Sequence, residues 1–281
     1  MTRTLLIAGV LAALAAAGAE PLRMQNIAHR GMWDREVPQN TVESIRRAYE
    51  SGATWVETDF WHVKSGLMVC MHMDRELAEF ARTEKRTIDL TAEDLATLNL
   101  GAKDGLAKPF RIPTLEQVLA VVPKTGVVQA EIKHYTPQYA DLFDAAVAKA
   151  GLTERNVVVS SFDYKALKDF KARKPKYRTV WLTGLKKPQD GAAFDVKPYI
   201  EKCRAAKIEV FCPGCGSTRK VMTPADADAV RAAGLEFRVY GVNSAADLRQ
   251  AKALGATGFT CNHWKAAFDW AKEVGGVELI K

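Results

Sequence analysis

The chain has 281 residues, of which 48% are hydrophobic and 26% charged, and it carries a net charge of +7. That length admits one large α/β barrel or two smaller domains, and no linker, repeat or low-complexity tract argues for two. Lysines and arginines are scattered rather than gathered into a basic stripe with interleaved aromatics, which argues against a nucleic-acid interface and suits a small anionic substrate or an anionic surface.

In chain order, the first predicted element is an export signal at residues 1–19: Arg3, an apolar Leu5–Ala17 core and a small-residue site at Ala17-Gly18-Ala19. Its apolar run is shorter than the roughly 20 residues needed to span a bilayer. The expectation is an exported protein, periplasmic or secreted, that begins at Glu20 and has no stable membrane insertion. Predicted strands follow at 26–28, 55–60, 127–132, 157–162, 179–182, 209–212, 237–242 and 258–261, with helix-period stripes between them such as Val42, Ile45, Ala48 and Tyr49. Eight such units predict a single TIM-type (β/α)8 barrel over residues 20–281, with functional groups at the carboxyl ends of its strands. A long segment, about 64–112, interrupts the second unit and reads as a functional insertion over the barrel mouth. Five cysteines leave at least one unpaired, and Cys212-Pro213-Gly214-Cys215 predicts a local disulfide ahead of a redox pair or half a zinc site.

Glu57 and Asp59, two apart on one predicted strand, point to the same side, and Glu131 ends the next strand. Carboxylates held together need a proton or a cation between them, and an oxygen-only set favours a hard divalent ion, Mg²⁺ or Ca²⁺. His29 and His72 both end apolar runs that the barrel brings to one rim, where imidazoles serve as proton carriers. Arg30 and Lys133 supply cations for a phosphate. His62, His134 and His263 are read as structural.

The ordered set Ala28-His29-Arg30-Gly31, Pro38-Gln39-Asn40-Thr41, Glu57-x-Asp59, His72, Glu131-Ile132-Lys133, Ser160-Ser161-Phe162-Asp163 and Tyr240-Gly241-Val242-Asn243 resembles the glycerophosphodiester phosphodiesterase family. The resemblance implies a barrel with an insertion after the second strand and cleavage of glycerophosphodiesters to glycerol 3-phosphate and an alcohol. It also implies the metal set Glu57, Asp59 and Glu131, acid-base catalysis by His29 and His72, and phosphate contacts from Arg30 and Lys133. Three positions depart from the family's usual pattern: Gln39 stands for a glutamate, Met73 separates His72 from Asp74, and Asn262 follows Cys261 where a threonine-aspartate pair is usual. Two alternatives stand beside this reading. One is a phospholipase D-like enzyme on intact lipids, its mouth shaped by Trp33, Trp61 or Trp264. The other is a non-catalytic phospho-ligand-binding barrel. The sequence gives no indication of oligomeric state.

Overall fold

Residues 20–188 and 192–281 are described by the computed structural model, and the expected export signal lies outside them. In chain order the strands are β1 (Leu22–His29), β2 (Trp55–His62), β3 (Met68–Cys70), β4 (Val127–His134), β5 (Val157–Ser161), β6 (Arg178–Thr183), β7 (Val210–Pro213), β8 (Glu236–Phe237), β9 (Gly258–Cys261) and β10 (Val277–Ile280). Parallel pairing runs from β1 through β2 and β4 to β8, and β9 pairs with β1 from Gln25↔Gly258 to Ala28↔Cys261. A bridge between Val239 and Phe259 joins the β8 segment to β9 and completes the circuit, giving the expected (β/α)8 barrel.

The strands are buried on both faces, as a barrel wrapped in helices requires; β5, Val157-Val158-Val159-Ser160-Ser161, is buried throughout. Between strands, threonine side chains start helices by capping: Thr41 before Val42–Glu50, Thr114 before Leu115–Leu119 and Thr223 before Pro224–Ala232. The layer between helices and barrel is aromatic in places, with Phe143 set edge-on to both Phe170 and Tyr177.

Three features differ from expectation. β1 begins at Leu22 because its first half pairs with β10, a C-terminal strand whose four residues give too short an alternation to read in advance. Regular pairing in β8 stops at Phe237, although backbone hydrogen bonds to both neighbouring strands continue through Val242. Cys212 and Cys215 are not bonded; all five cysteines are free thiols. Cys212 points into the barrel among Val158, Val180 and Leu182, whereas Cys215 opens a helix and packs in the outer layer, so the strand's backbone separates the two sulfurs.

The segment after β2 is a packed unit. β3 runs antiparallel to β2, and the helices Asp74–Ala81 and Ala92–Thr97 close over a separate apolar cluster that includes Val69, Met71, Leu77, Leu90 and Phe110. His72 leaves β3 at the point where this unit meets the rim.

The turn after β1 sets the other side of the rim. Arg30 and Gly31 both have left-handed backbone, φ 60° and 84°. Arg30 N–H donates to the Glu57 carbonyl, and a Cβ on residue 31 would come within 2.5 Å of the Ser44 backbone. Gly66 has a similar φ of +83° but open space around it. Gly31→Ala is therefore expected to destabilise by about 3 kcal/mol or more, and Gly66→Ala by about 1 kcal/mol, because only the first adds a clash to the conformational strain. Urea unfolding of the two variants checks this, and equal losses would count against the close approach to Ser44.

Candidate active site

Strand register assembles the site. His29 lies opposite Glu57 across β1 and β2, and Asp59 lies opposite Glu131 across β2 and β4. Glu57, Asp59 and Glu131 are all buried and can each present an oxygen within 4.8 Å of the others. At that separation ionised carboxylates repel by roughly 3–4 kcal/mol per pair in an effective dielectric of about 20. Both Glu57 oxygens and Asp59 Oδ1 are buried without a hydrogen-bond donor, which costs free energy unless something positive lies between them. An all-oxygen donor set of this kind fits a hard divalent cation.

Two cations from the chain flank the acids. Lys133 is the extra residue where the β2/β4 register shifts, a bulge that turns its ammonium to Glu131 Oε1 at 2.8 Å and Asp59 Oδ1 at 3.6 Å. Arg30 Nε lies 3.4 Å from Asp59 Oδ2. Burial works against the charge of Asp59, but Lys133 and Arg30 outweigh it and hold its carboxyl below the usual range. Glu57 has no such close cation: burial and then the Asp59 and Glu131 carboxylates push it well above its ordinary value. Burial and Asp59 likewise push Glu131 up to about 7.

Each imidazole is anchored through Nδ1. His29 Nδ1 meets Asn262 Oδ1 at 2.5 Å, and its Nε2 lies 3.6 Å from Glu57 Oε2. Burial, then the Arg30 charge, push His29 down to about 4. His72 Nδ1 meets Glu76 Oε1 at 2.9 Å. Burial disfavours the Glu76 charge, but hydrogen bonding to His72 and the nearby Arg30 keep its carboxyl below the ordinary value. Both rings line one cavity of about 210 Å³, together with Arg30, Phe162, Leu182 and Tyr240. Phe162 is 47% exposed and stands edge-on to Tyr240, so part of the wall is apolar.

All seven residues singled out in the sequence therefore converge on this rim. The remaining histidines make other contacts: His62 Nδ1 bonds Thr136, and His134 Nδ1 donates to the His62 carbonyl. Trp264 does not shape the mouth. It is 3% exposed, and its Nε1 donates to the Asn26 carbonyl. Sequence reasoning missed three supporting side chains. Asn40 donates to Asp59 Oδ2 at 2.8 Å while accepting from Thr58, and Glu76 and Asn262 hold the histidines. Glu76 had one available signal, its i,i+4 spacing from His72; Asn262 stood out only as a departure from the family pattern, and nothing local tied it to a partner 233 positions away.

Two cationic side chains and two imidazoles around an acidic cluster, at the carboxyl ends of a (β/α)8 barrel, are the groups that a phosphodiesterase-type barrel enzyme needs. Residues 29–266 match the model of the glycerophosphoryl diester phosphodiesterase family, and the chain belongs to that family. A glycerophosphodiester phosphodiesterase of Caldanaerobacter subterraneus is 30% identical over 205 residues, covering 66% of this chain and 83% of the relative. Among solved structures, a glycerophosphodiester phosphodiesterase from Parabacteroides distasonis superposes with TM-score 0.70 at 21% identity, covering 91% of this chain and 98% of that one. A phosphodiesterase from Oleispira antarctica, in complex with the product sn-glycerol-3-phosphate, superposes with TM-score 0.72 at 19% identity, covering 88% and 96%.

The raised carboxyls give cation binding a pH dependence. Glu131, pushed from 4.5 to about 7, holds a proton over part of the neutral range that a bound cation would have to displace, and burial and the neighbouring carboxylates push Glu57 in the same direction. An acid raised on folding binds more protons folded than unfolded, so Glu131 favours folding at low pH and loses that contribution as pH rises from about 4.5 through about 7, and Glu57 acts in the same direction. Ca²⁺ or Mg²⁺ is thus expected to bind about tenfold more weakly at pH 6 than at pH 8 from the Glu131 proton alone. Isothermal titration at the two values checks this; equal affinities would mean that both carboxyls are already ionised at pH 6.

Proposed function

We propose that this chain hydrolyses glycerophosphodiesters to glycerol 3-phosphate and an alcohol, with Mg²⁺ or Ca²⁺ held by Glu57, Asp59 and Glu131. The single observation that carries the reading is the convergence on one cavity of two Nδ1-anchored imidazoles with Glu57 and Glu131, two members of the buried acidic cluster. A bound divalent ion supplies charge neutralisation for the phosphate oxygens. Every other role belongs to the chain's own side chains. Arg30 and Lys133, which pair with the acids, turn their remaining donors to the phosphate and hold it against the rim. One of His29 and His72 takes the proton of the attacking hydroxyl through Nε2, and the other gives a proton to the departing alkoxide oxygen. With water as the nucleophile, phosphorus gains one P–O bond and loses its bond to the alcohol oxygen; the base ring ends protonated and the acid ring deprotonated, and proton exchange with solvent resets the pair.

The apolar wall of Phe162, Leu182 and Tyr240 supports a substrate with a carbon-rich end, and the cavity's size suits a headgroup diester. Among the described residues no helix is long and apolar enough to cross a membrane. Export from the cytoplasm remains part of the proposal and rests on residues 1–19 of the sequence alone.

Release of glycerol 3-phosphate from glycerophosphocholine tests the proposal. Chelation is expected to abolish release and Mg²⁺ or Ca²⁺ to restore it; full turnover in chelator would remove the cation. His29→Ala and His72→Ala are each expected to fold and to lose at least about 10²-fold in kcat, the usual worth of a positioned acid or base. Wild-type turnover in either variant would take that histidine out of the reaction.

A further inference from the structure

The inserted helix Asp74–Ala81 reaches the rim through one side chain, Glu76, which touches three site groups at once. Its Oε1 accepts from His72 Nδ1 at 2.9 Å and from Arg30 Nη1 at 3.2 Å, and its Oε2 accepts from Gln39 Nε2 at 2.8 Å. Gln39 Oε1 accepts in turn from Arg30 Nη1 at 3.1 Å, which closes a ring of three side chains, Arg30, Glu76 and Gln39, with His72 attached to it at Glu76 Oε1. His72 and Glu76 are 15% and 14% exposed, so little water competes for these bonds.

We infer that Glu76 is a positioning residue of this enzyme: it locks His72 with hydrogen on Nδ1 and ties that ring to the Arg30 guanidinium. The inference rests on the catalytic reading of His72 given above. An ionised carboxylate only accepts, so His72 Nδ1 must carry the hydrogen and Nε2 is left for the cavity. The same carboxylate holds Arg30, so the imidazole and the guanidinium are placed relative to each other by one rigid group. His29 is set by a different device, the amide of Asn262 on the barrel itself. The insertion is therefore more than a cover. It supplies both His72 and the group that aims it.

Donor and acceptor counting gives the test. In Glu76→Gln the new amide sets an NH₂ against the Gln39 NH₂, and turning Gln39 over moves the conflict onto Arg30, so one donor-donor contact is unavoidable. Adding Gln39→Glu restores an acceptor at that place: every bond of the ring can form again and the total charge is unchanged. On glycerophosphocholine, Glu76→Gln is expected to lower kcat by about 10–100-fold, the usual effect of losing an orienting partner, with KM within about threefold. Ca²⁺ is expected to raise the melting temperature of this variant and of the wild type by equal amounts, and the double variant should recover to within about fivefold of wild-type kcat. Wild-type kcat in Glu76→Gln, a change confined to KM, or a double variant no faster than the single one would each overturn the inference.

A readout that needs no turnover separates this inference from the functional reading. In ¹⁵N spectra, neutral His72 should hold its hydrogen on Nδ1 in the wild type and lose that preference in Glu76→Ala. An unchanged tautomer in Glu76→Ala overturns the role of Glu76. A wild type that cleaves no diester with any divalent ion sinks the functional reading instead, and the tautomer then decides the role of Glu76 alone.

Discussion

Three buried carboxylates that can bring their oxygens within 4.8 Å of one another form the constraint on which this rim depends. Left alone they would repel and destabilise the fold, so positive charge has to be brought to them. The chain brings two cations by strained means. Arg30 adopts a left-handed backbone that its neighbours tolerate through hydrogen bonds to Glu57 and Asn40, and Lys133 is turned inward by a bulge. Neither serves Glu57 closely. That residue's two oxygens have no donor, which makes it the place where an added cation stabilises most.

Around this centre the outer contacts divide the work between the barrel and the insertion. Asn40 fixes Asp59 from the loop after β1, and Asn262 fixes His29 from the loop after β9. The insertion fixes His72 through Glu76 and is itself held by an apolar cluster of its own. A packed insertion holds the His72 imidazole in one orientation, which a mobile cover could not do.

The three departures from the family pattern now have physical descriptions. Gln39 is neutral where a glutamate is usual, and Glu76 places a carboxylate beside it, within reach of the same guanidinium. Met73 serves as the residue before the inserted helix, and Asp74 turns away to accept from the Thr87 N–H, so Glu76 rather than Asp74 meets His72. Asn262 presents to His29 an acceptor without charge. The negative charge near His72 and Arg30 is carried from a different position, and the acids, imidazoles and cations themselves are unaltered.

Sequence alone determined the parts that depend on short-range pattern. Alternating strands and helices of regular length dictated the barrel, β-branched runs located most strands to within a few residues, and Glu57-x-Asp59 put two carboxylates on one face because side chains alternate along a strand. Motif order then related His29, His72, Glu131, Arg30 and Lys133 to one rim. Tertiary structure decided what depends on partners far apart in the chain: β10 against β1, the thiols of Cys212 and Cys215 on opposite sides of a strand, Trp264 buried rather than at the mouth, and Asn262 on His29. The reason is common to all of these. A side chain's conformation and its hydrogen bonds are fixed by whatever the closed barrel brings beside it, and local spacing carries no record of neighbours that lie tens to hundreds of residues away.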